Sequence, residues 1–243
     1  MGLRILVLAP QPFFVQRGTP IAVRMLLQTL GEAGHDCEAI VFAGGEDVDI
    51  ANVRIIRTAK LPGLSNIPPG FSGKKLLADM LMFPTLFWRL IRQRYDLIIA
   101  VEESAFMALA LKPIFRVPYI YDIDSSIPEQ LRDKFGLPGW LDRLLVAAER
   151  RAVRGSIGAM PCCSAALLSI STTAAAPSDS WLAFPAVTKP PSRTGCNPRN
   201  PSIWVFGRLH SSRSTVTSCM ETSPVSLSLT AIVACIGAIS SSN

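Results

Sequence analysis

Nine residues within the first 126 have the types and the spacing to bind a ligand that carries hydroxyl or phosphate groups. A carboxylate accepts hydrogen bonds from hydroxyl groups, and a glycine beside a helix N-terminus lets backbone N–H groups approach an anion. The nine form three groups, and each group follows an apolar segment. The groups are Arg17, Gly18 and Thr19; Glu102 and Glu103; and Asp122, Asp124, Ser125 and Ser126.

The apolar segments alternate with helix-like segments, which predicts an α/β domain with a Rossmann-like parallel sheet flanked by helices. We expect strands at Leu3–Ala9, 35–42, 53–58, 95–101 and 117–126. We expect helices from Pro20 to near Gly31, over 74–93 with a kink at Pro84, and over 104–112, 127–135 and 138–154. Because the carboxyl ends of parallel strands meet at one edge of a sheet, the three groups should line one cleft there.

The loop after the first strand differs from a dinucleotide-binding loop. Gly18 stands alone, without the G-x-G-x-x-G spacing. Thr19 is suited to cap the next helix, with Pro20 at its first position. The loop is therefore either an anion site to which Arg17 adds positive charge, or a tight turn with a surface arginine.

Composition limits the kinds of partner. The 243 residues carry a net charge of +6, which favours anionic partners such as phosphates or a membrane surface. Lysine and arginine occur in runs no longer than a pair, which argues against nucleic acid. The six cysteines show neither a disulfide framework nor metal-ligand spacing. The apolar stretch "RILVLAP" is too short for a signal peptide, and 225–239 is too short for a bilayer span, so we expect a cytoplasmic protein.

The chain changes character near residue 160. Residues 1–159 hold 35 of the 42 charged residues, whereas residues 160–243 hold 7. Serine and threonine number 10 in the first part and 25 in the second. The first part therefore has the composition of a folded domain, and the second part needs a separate explanation.

Four segments of the first part, in this order and spacing, resemble the family 4 glycosyltransferases. They are "RGTPIAVRMLLQTLGEAGHDCEAIVF", "YDLIIAVEESAFMALAL", "VPYIYDIDSSIPEQL" and "AERRAVRGSIGA". The resemblance covers about 1–159. It implies the N-terminal half of a GT-B fold, in which one Rossmann-like domain binds the acceptor and a second binds the nucleotide-sugar donor. It implies no cofactor and no metal, because the nucleotide-sugar is a donor substrate.

The resemblance also implies roles for the three groups. Arg17, Gly18 and Thr19 would lie beside the donor phosphates or the acceptor. Glu102 and Glu103 would lie at the cleft edge and bind sugar hydroxyls. Alternatively, these two acids only stabilise the N-terminus of the following helix.

The third group departs from the family pattern. Asp124 stands where the family often has a histidine, so Asp124 would orient an acceptor hydroxyl or act as a base, unless it only caps the following helix. Asp122, Ser125 and Ser126 would bind substrate beside it. His35 is interpreted as a structural residue of a Gly-His turn.

Residues 74–94 combine Met, Phe and Trp with five basic residues. Two interpretations stay open for this segment: peripheral contact with the inner face of a membrane that carries a lipid-linked acceptor, or a helix that faces the core.

The second part fits a shifted reading frame better than a second domain. Back-translation of Cys219 to Ser223, read from the third base of the first codon, gives His/Tyr-Gly-Asn/Asp-aliphatic, which is the missing start of the donor domain. The same offset at Ala159 to Ser164 gives Asn/Asp/His/Tyr, then Ala, then Leu/Met/Val, Leu and Leu/Phe, which is compatible with the "D-A-V-L" expected of a strand here. We therefore predict a domain over 1–159 and a frameshifted, poorly structured segment over 160–243, with a genuine disordered Ser/Thr-rich tail as the alternative.

Three functions remain open on the sequence. The first is a glycosyltransferase fragment, truncated and inactive as given, whose lineage transfers sugar from a nucleotide-sugar to a glycan or lipid-linked acceptor. The second is a non-catalytic remnant that still binds ligand. The third is an unrelated Rossmann-like nucleotide-binding enzyme, which the missing glycine fingerprint disfavours.

Overall fold

The computed structural model describes residues 2–60, 72–124, 126–161 and 206–207. Its strands are β1 (Arg4–Pro12), β2 (Asp36–Phe42), β3 (Val53–Arg57), β4 (Leu97–Val101), β5 (Tyr119–Ile123), β6 (Gly158–Pro161) and β7 (Phe206–Gly207). Its helices are α1 (Gly18–Glu32), α2 (Gly73–Arg92), α3 (Ser104–Phe115), α4 (Ile127–Phe135) and α5 (Gly139–Gly155).

The described strands form one sheet in the order β3-β2-β1-β4-β5-β6-β7. Strands β1 to β6 pair in parallel, and only the two residues of β7 run antiparallel to β6. This confirms the predicted parallel α/β sheet flanked by helices. The strand order reverses between β1 and β4, so the crevice beyond their carboxyl ends is the place where ligands bind in sheets of this kind.

Both faces of the sheet are buried, which explains why the strands are continuous apolar runs. On one face, α2, α3 and α5 pack over alternate residues such as Leu6, Ile98 and Tyr119. On the other face, α1 packs through Val23 and Leu27 over the intervening residues. The two buried clusters hold the carboxyl ends of the strands in fixed positions.

Three local expectations are corrected. Strand β1 continues to Pro12 because its pairing with β2 resumes at Phe42 after an irregularity beyond Ala9. Strand β5 ends at Ile123, so Asp124 begins the following turn. Helix α3 runs past residue 112 and includes Pro113, and it ends where Arg116 adopts left-handed backbone.

Helix α2 begins at a side-chain cap, because Ser72 Oγ accepts a hydrogen bond of 3.2 Å from the backbone N–H of Lys75. Pro84 lies inside the helix, which continues to Arg92. One stripe of α2 packs in the core: Ala78, Met82, Leu86 and Leu90. One face of the helix is therefore directed at the core, as one of the two interpretations requires.

The predicted poorly structured segment from residue 160 lies mostly outside the described residues. Within the described ranges, Met160 and Pro161 complete β6, and Phe206 and Gly207 pair with Ala159 and Gly158.

Candidate functional site

The three polar groups meet at the carboxyl edge of the sheet, where β1, β4 and β5 are neighbours. The backbone N–H of Glu102 donates to the carbonyl of Asp122 over 2.9 Å. The Thr19 hydroxyl donates to Oδ2 of Asp124, which joins residues 105 positions apart in the chain. Residues from the start of α1, the end of β4 and the end of β5 thus form one cluster, which we call the edge cluster.

Thr19 does not cap α1, which corrects the sequence-based expectation. The helix begins at Gly18, the capping position belongs to Arg17, and no side chain caps it. Thr19 lies in the first turn with its hydroxyl directed at Asp124. The space that a Cβ on Gly18 would occupy is open, and both Arg17 and Gly18 are exposed. The first N–H groups of α1 therefore face an open position with an arginine beside it, which suits an anion.

The loop before α1 is fixed by Arg57 at the end of β3. The guanidinium Nη1 donates to the carbonyls of Phe13 and Gly44, each over 2.6 Å, and Nη2 donates to the carbonyl of Glu46 and to Asp47, each over 2.8 Å. A side chain cannot replace the hydrogen on Gly45, since a Cβ there would lie 2.3 Å from the carbonyl carbon of Phe13. The loops after β1 and β2 are therefore held against each other.

Lys75 of α2 binds both acids that follow β4. Its Nζ lies 2.7 Å from Oε2 of Glu102 and 2.7 Å from Oε1 of Glu103, and the three side chains are 13%, 17% and 21% exposed. Glu102 has a φ of 50°, in the left-handed region that favours glycine. A non-glycine residue in this conformation at a strand end indicates that surrounding contacts hold the carboxylate in place.

Asp79, one helical turn after Lys75, brings a third acid into the edge cluster. Burial, then the charge of Glu103, raises the pKa of Asp79. Burial also raises the pKa of Glu103, against the opposing effect of Lys75. Two neighbouring carboxylates in a buried place disfavour each other's ionised form. We therefore expect Asp79 and Glu103 to hold one shared proton near neutral pH.

The two aspartates at the end of β5, Asp122 within the strand and Asp124 just after it, have different surroundings. Burial, followed by the charges of Asp124 and Glu102, raises the pKa of Asp122 well above its ordinary value. Asp124 is half-buried and accepts the hydrogen bond from Thr19. Its carboxylate stands at the mouth of the edge cluster, where it could accept a hydrogen bond or a proton from a ligand hydroxyl.

Ser126 is directed away from the other groups. Its buried hydroxyl donates to Oε2 of Glu149 over 2.9 Å, and Oε1 of the same carboxylate accepts from the N–H of Ile127 over 3.1 Å. Ser126 also holds the capping position of α4, which Asp124 therefore does not occupy. Ser125 lies outside the described residues.

Buried polar atoms in and near the cluster have no hydrogen-bond partner among the described residues: Nε2 of Gln11, at the end of β1, Oδ1 of Asp79 and the hydroxyl of Tyr121. Oε1 of Glu103 also lacks a hydrogen bond there and has only the ion pair with Lys75. The Tyr121 ring is fully buried on β5. Burial, followed by the charge of Glu149 and then those of Glu103 and Glu102, raises the pKa of Tyr121 well above its ordinary value. A buried polar group without a partner is costly and is uncommon away from functional sites.

His35 lies at the opposite edge of the sheet. Its Nδ1 accepts a hydrogen bond of 3.1 Å from the N–H of Leu3, at the start of β1. Gly34 before it has a φ of 80°. The geometry agrees with the interpretation of His35 as a structural turn residue.

Sequence reasoning missed Lys75, Asp79, Tyr121 and Gln11. The pair Lys74-Lys75 carried a weak signal, since adjacent side chains on a helix point about 100° apart and two lysines can therefore serve different faces. Asp79 follows Lys75 by four positions and so lies on the same helix face.

Within the part of the chain that the structure describes, no group of three His, Cys, Asp or Glu side chains could hold a metal ion. In the same ranges, no helix combines the length and the apolar character that a bilayer crossing requires.

Comparison with known proteins gives a family and several similar folds. The sequence profile of the glycosyl transferase 4-like domain matches residues 17–185, more than half of the chain and beyond residue 159. No curated protein sequence matches the chain significantly.

Three solved structures illustrate the similar folds. Sucrose-phosphate synthase from Thermosynechococcus elongatus is 16% identical, with a TM-score of 0.48, over 63% of this chain and 41% of that one. Anabaena HepE in complex with UDP-glucose is 14% identical, with a TM-score of 0.43, over 71% and 41%. Arabidopsis thaliana UGT89C1 complexed with quercetin is 16% identical, with a TM-score of 0.40, over 62% and 42%.

This chain matches about two fifths of the length of each of these proteins, and at such identities the likeness concerns the fold alone. The profile match is what decides the family: the chain belongs to the glycosyl transferase 4-like domains.

Proposed function

We propose that residues 1–159 are the acceptor-side domain of a glycosyltransferase that transfers sugar from a nucleotide-sugar to a glycan or lipid-linked acceptor. The observation that carries this proposal is the edge cluster, in which carboxylates from two neighbouring strands converge beside the open N-terminus of α1. Carboxylates bind sugar hydroxyls, and a helix N-terminus with Arg17 binds phosphate.

In the proposed reaction, the acceptor oxygen forms a bond to the anomeric carbon of the donor sugar while the bond from that carbon to the phosphate oxygen breaks. The nucleoside diphosphate leaves with the electron pair of that bond. Asp124 orients the acceptor hydroxyl and is the candidate to take its proton. Thr19 holds Asp124 in place, and Glu102 and Glu103 accept hydrogen bonds from other acceptor hydroxyls.

We further propose that the 243-residue chain is truncated in function and inactive. Transfer requires positive charge and hydroxyl-binding groups around the donor, which this family supplies from its second domain. Residues 160–243 contain only Asp179 and Glu221 as acids and no E-x-F-G-x-x-x-x-E stretch. A shifted reading frame beginning near 156–159 accounts for their absence.

A lipid-linked acceptor would bring the protein to the inner face of a membrane as a peripheral protein. A glycan acceptor would need no such contact. The alternative of a non-catalytic remnant that binds ligand is favoured by the edge cluster, because all of its residues lie within 1–159. The alternative of an unrelated Rossmann-like enzyme loses its basis, since the chain belongs to the glycosyl transferase 4-like family.

The test compares the purified 243-residue chain with a protein whose reading frame is restored after residue 156, using labelled nucleotide-sugars and acceptor mixtures. We expect transfer by the restored protein and none by the chain as given. Asp124→Ala and Glu102→Ala should each reduce transfer by the restored protein, while His35→Ala, at the opposite edge, should leave it closer to the parent. Equal transfer by both proteins would refute the truncation, and equal losses from the three substitutions would refute the site.

A further inference from the structure

The outward face of α2 is apolar along its whole length. Seven large apolar side chains on this face are between 38% and 66% exposed: Leu76, Leu77, Met80, Phe83, Phe87, Trp88 and Ile91. Pro84 is exposed among them. A surface helix ordinarily presents polar residues to water, so a helix that is apolar on both faces has a second surface to cover. We call these seven side chains the outer stripe.

The packing of α2 within the domain uses little of the outer stripe. Among the described residues, the ring of Phe87 contacts that of Phe115 on α3, with the centroids 5.6 Å apart. The stripe from Ala78 to Leu90 fills the core on the opposite face. The polar side chains of that inner face are also paired with the sheet: Lys75 with Glu102 and Glu103, and Arg89 with Glu38 over 3.5 Å. Both ends of the helix are therefore anchored through its inner face, and the outer stripe remains at the surface.

The charges that border the outer stripe are all positive. Lys74, Arg92 and Arg94 are exposed, and within the described ranges none of them takes part in an ion pair. The guanidinium of Arg92 lies 4.5 Å from the ring centroid of Trp88. The single acid of 73–94 is Asp79, which is engaged with Glu103 on the inner side. An apolar stripe edged by cations without acids complements an anionic lipid surface.

We propose that the outer stripe of α2 docks on an anionic lipid bilayer, with the helix lying in the interface and Lys74, Arg92 and Arg94 directed at lipid phosphates. The 20 residues of α2 would lie along about 30 Å of the surface. This deepens the proposed function by naming the surface at which a lipid-linked acceptor would be met. It rests on that function only for the identity of the acceptor, because docking itself needs neither donor nor transfer.

The experiment is flotation of the full 243-residue chain, synthesised in the presence of vesicles of phosphatidylcholine, with or without phosphatidylglycerol. We expect the chain to float with the anionic vesicles, to float less in high salt, and to float weakly with the neutral ones. Synthesis beside the vesicles makes the readout independent of solubility in plain buffer, because aggregated protein does not float.

Matched variants distinguish binding through the outer stripe from nonspecific adsorption of exposed apolar side chains. Met80→Ser with Trp88→Ser should reduce binding to anionic vesicles by roughly tenfold or more. Trp140→Ser with Leu144→Ser is the control, since these side chains on α5 are 69% and 59% exposed. Both pairs lie at the surface, so circular dichroism should show the same helix content in both variants.

A second pair of variants tests the charges. Reversing Lys74, Arg92 and Arg94 to glutamate should abolish the preference for anionic vesicles, whereas reversing Arg143, Arg151 and Arg154 on α5 should keep it.

Three results would overturn the proposal: no flotation of the parent chain, equal losses from the α2 and α5 variants, or binding that ignores lipid charge and salt. A parent chain that instead forms dimers, with dimerisation lost in the α2 serine variant, would assign the stripe to a second copy. The transfer assay tests the proposed function independently of these results.

Discussion

The two edges of the sheet use the same strands but treat their polar groups differently. At the amino edge, Arg4 pairs with Asp36 over 2.9 Å, and its N–H donates to Asp96 over 2.8 Å. His35 accepts from Leu3 in the same region. At the carboxyl edge, Lys75 faces three acids, and the Tyr121 hydroxyl has no partner among the described residues.

The polar groups at the amino edge stabilise the fold, whereas those at the carboxyl edge are held in places that are unfavourable for stability. The amino-edge contacts are exposed pairs of opposite charge and simple backbone bonds, which connect strand ends. The carboxyl edge gathers like charges in a half-buried place, holds Glu102 in left-handed backbone and raises several pKa values. Such concentrations of strain and shifted pKa are typical of functional sites.

The largest difference between the edges should come from their cations. Lys75→Met leaves Glu102, Glu103 and Asp79 without a counter-charge, and we expect a loss of about 3–5 kcal/mol in the free energy of unfolding. Arg4→Met removes an exposed pair and should cost about 0–1 kcal/mol. Urea denaturation of both variants at neutral pH measures the two values, and similar losses would show that the edges do not differ in this way.

The next effect concerns the shared proton. Burial and Glu103 raise the pKa of Asp79 from 3.8 to about 8, so between these values the folded protein holds a proton that the unfolded chain releases. The free energy of unfolding should therefore fall as pH rises through this window. Asp79→Asn removes the titrating group and keeps a donor for Glu103, so it should gain about 4 kcal/mol over the parent on going from about pH 5 to about pH 8.5, at about 1.4 kcal/mol for each pH unit of the window.

Denaturation at the two pH values, with the parent and Asp79→Asn side by side, measures this gain. Glu103→Gln, which removes the other half of the carboxyl pair, should flatten the pH dependence in the same direction. Parallel pH profiles for the parent and Asp79→Asn would contradict the shared proton.

A smaller effect distinguishes two threonines of α1. Thr19 reaches Asp124 across the edge cluster, whereas the Thr29 hydroxyl only donates to the carbonyl of Met25 within the helix, over 2.8 Å. Thr19→Val should cost about 1–2 kcal/mol, because it removes a donor from a charged acceptor. Thr29→Val should change the stability by less than about 0.5 kcal/mol. Equal values in thermal denaturation would argue that the Thr19–Asp124 contact contributes nothing.

The smallest effect compares two tyrosines of one strand, Tyr119 at the start of β5 and Tyr121 at its middle. The Tyr119 hydroxyl at the start of β5 donates to the carbonyl of Ala152 over 2.5 Å, while the Tyr121 hydroxyl lacks a described partner. Tyr119→Phe should lower the free energy of unfolding by about 1 kcal/mol. Tyr121→Phe should leave it unchanged or raise it by roughly a few tenths of a kcal/mol. A substantial loss from Tyr121→Phe would mean that this hydroxyl is bound after all.

The strands could be predicted from the sequence because burial on both faces leaves a continuous apolar run, as in Leu97–Val101, which can be recognised without knowing the neighbouring strands. Convergence of the three groups followed from parallel pairing alone. The contacts within the cluster could not be predicted in this way. Thr19 resembles a helix cap locally, and only its partner 105 residues away directs it elsewhere.

Helix α2 shows the same limit. Its sequence indicated an amphipathic helix. Whether Lys75 and Asp79 lie on the inner side, however, depends on which face of α2 packs against the sheet. The outer stripe became visible only after Ala78, Met82, Leu86 and Leu90 were placed in the core. Predictions for 160–243 rest on composition and codons, and most of that segment lies outside the described residues.

The clamp made by Arg57 has a consequence for the entropy of ligand binding. A loop that must become ordered around a ligand loses conformational freedom, and that loss weakens the affinity. Here four hydrogen bonds from one guanidinium already connect the loops after β1 and β2, and Gly45 lets their backbones touch. The loop that leads into α1 is therefore already ordered, and a ligand bound there as proposed would keep the free energy that ordering would have consumed.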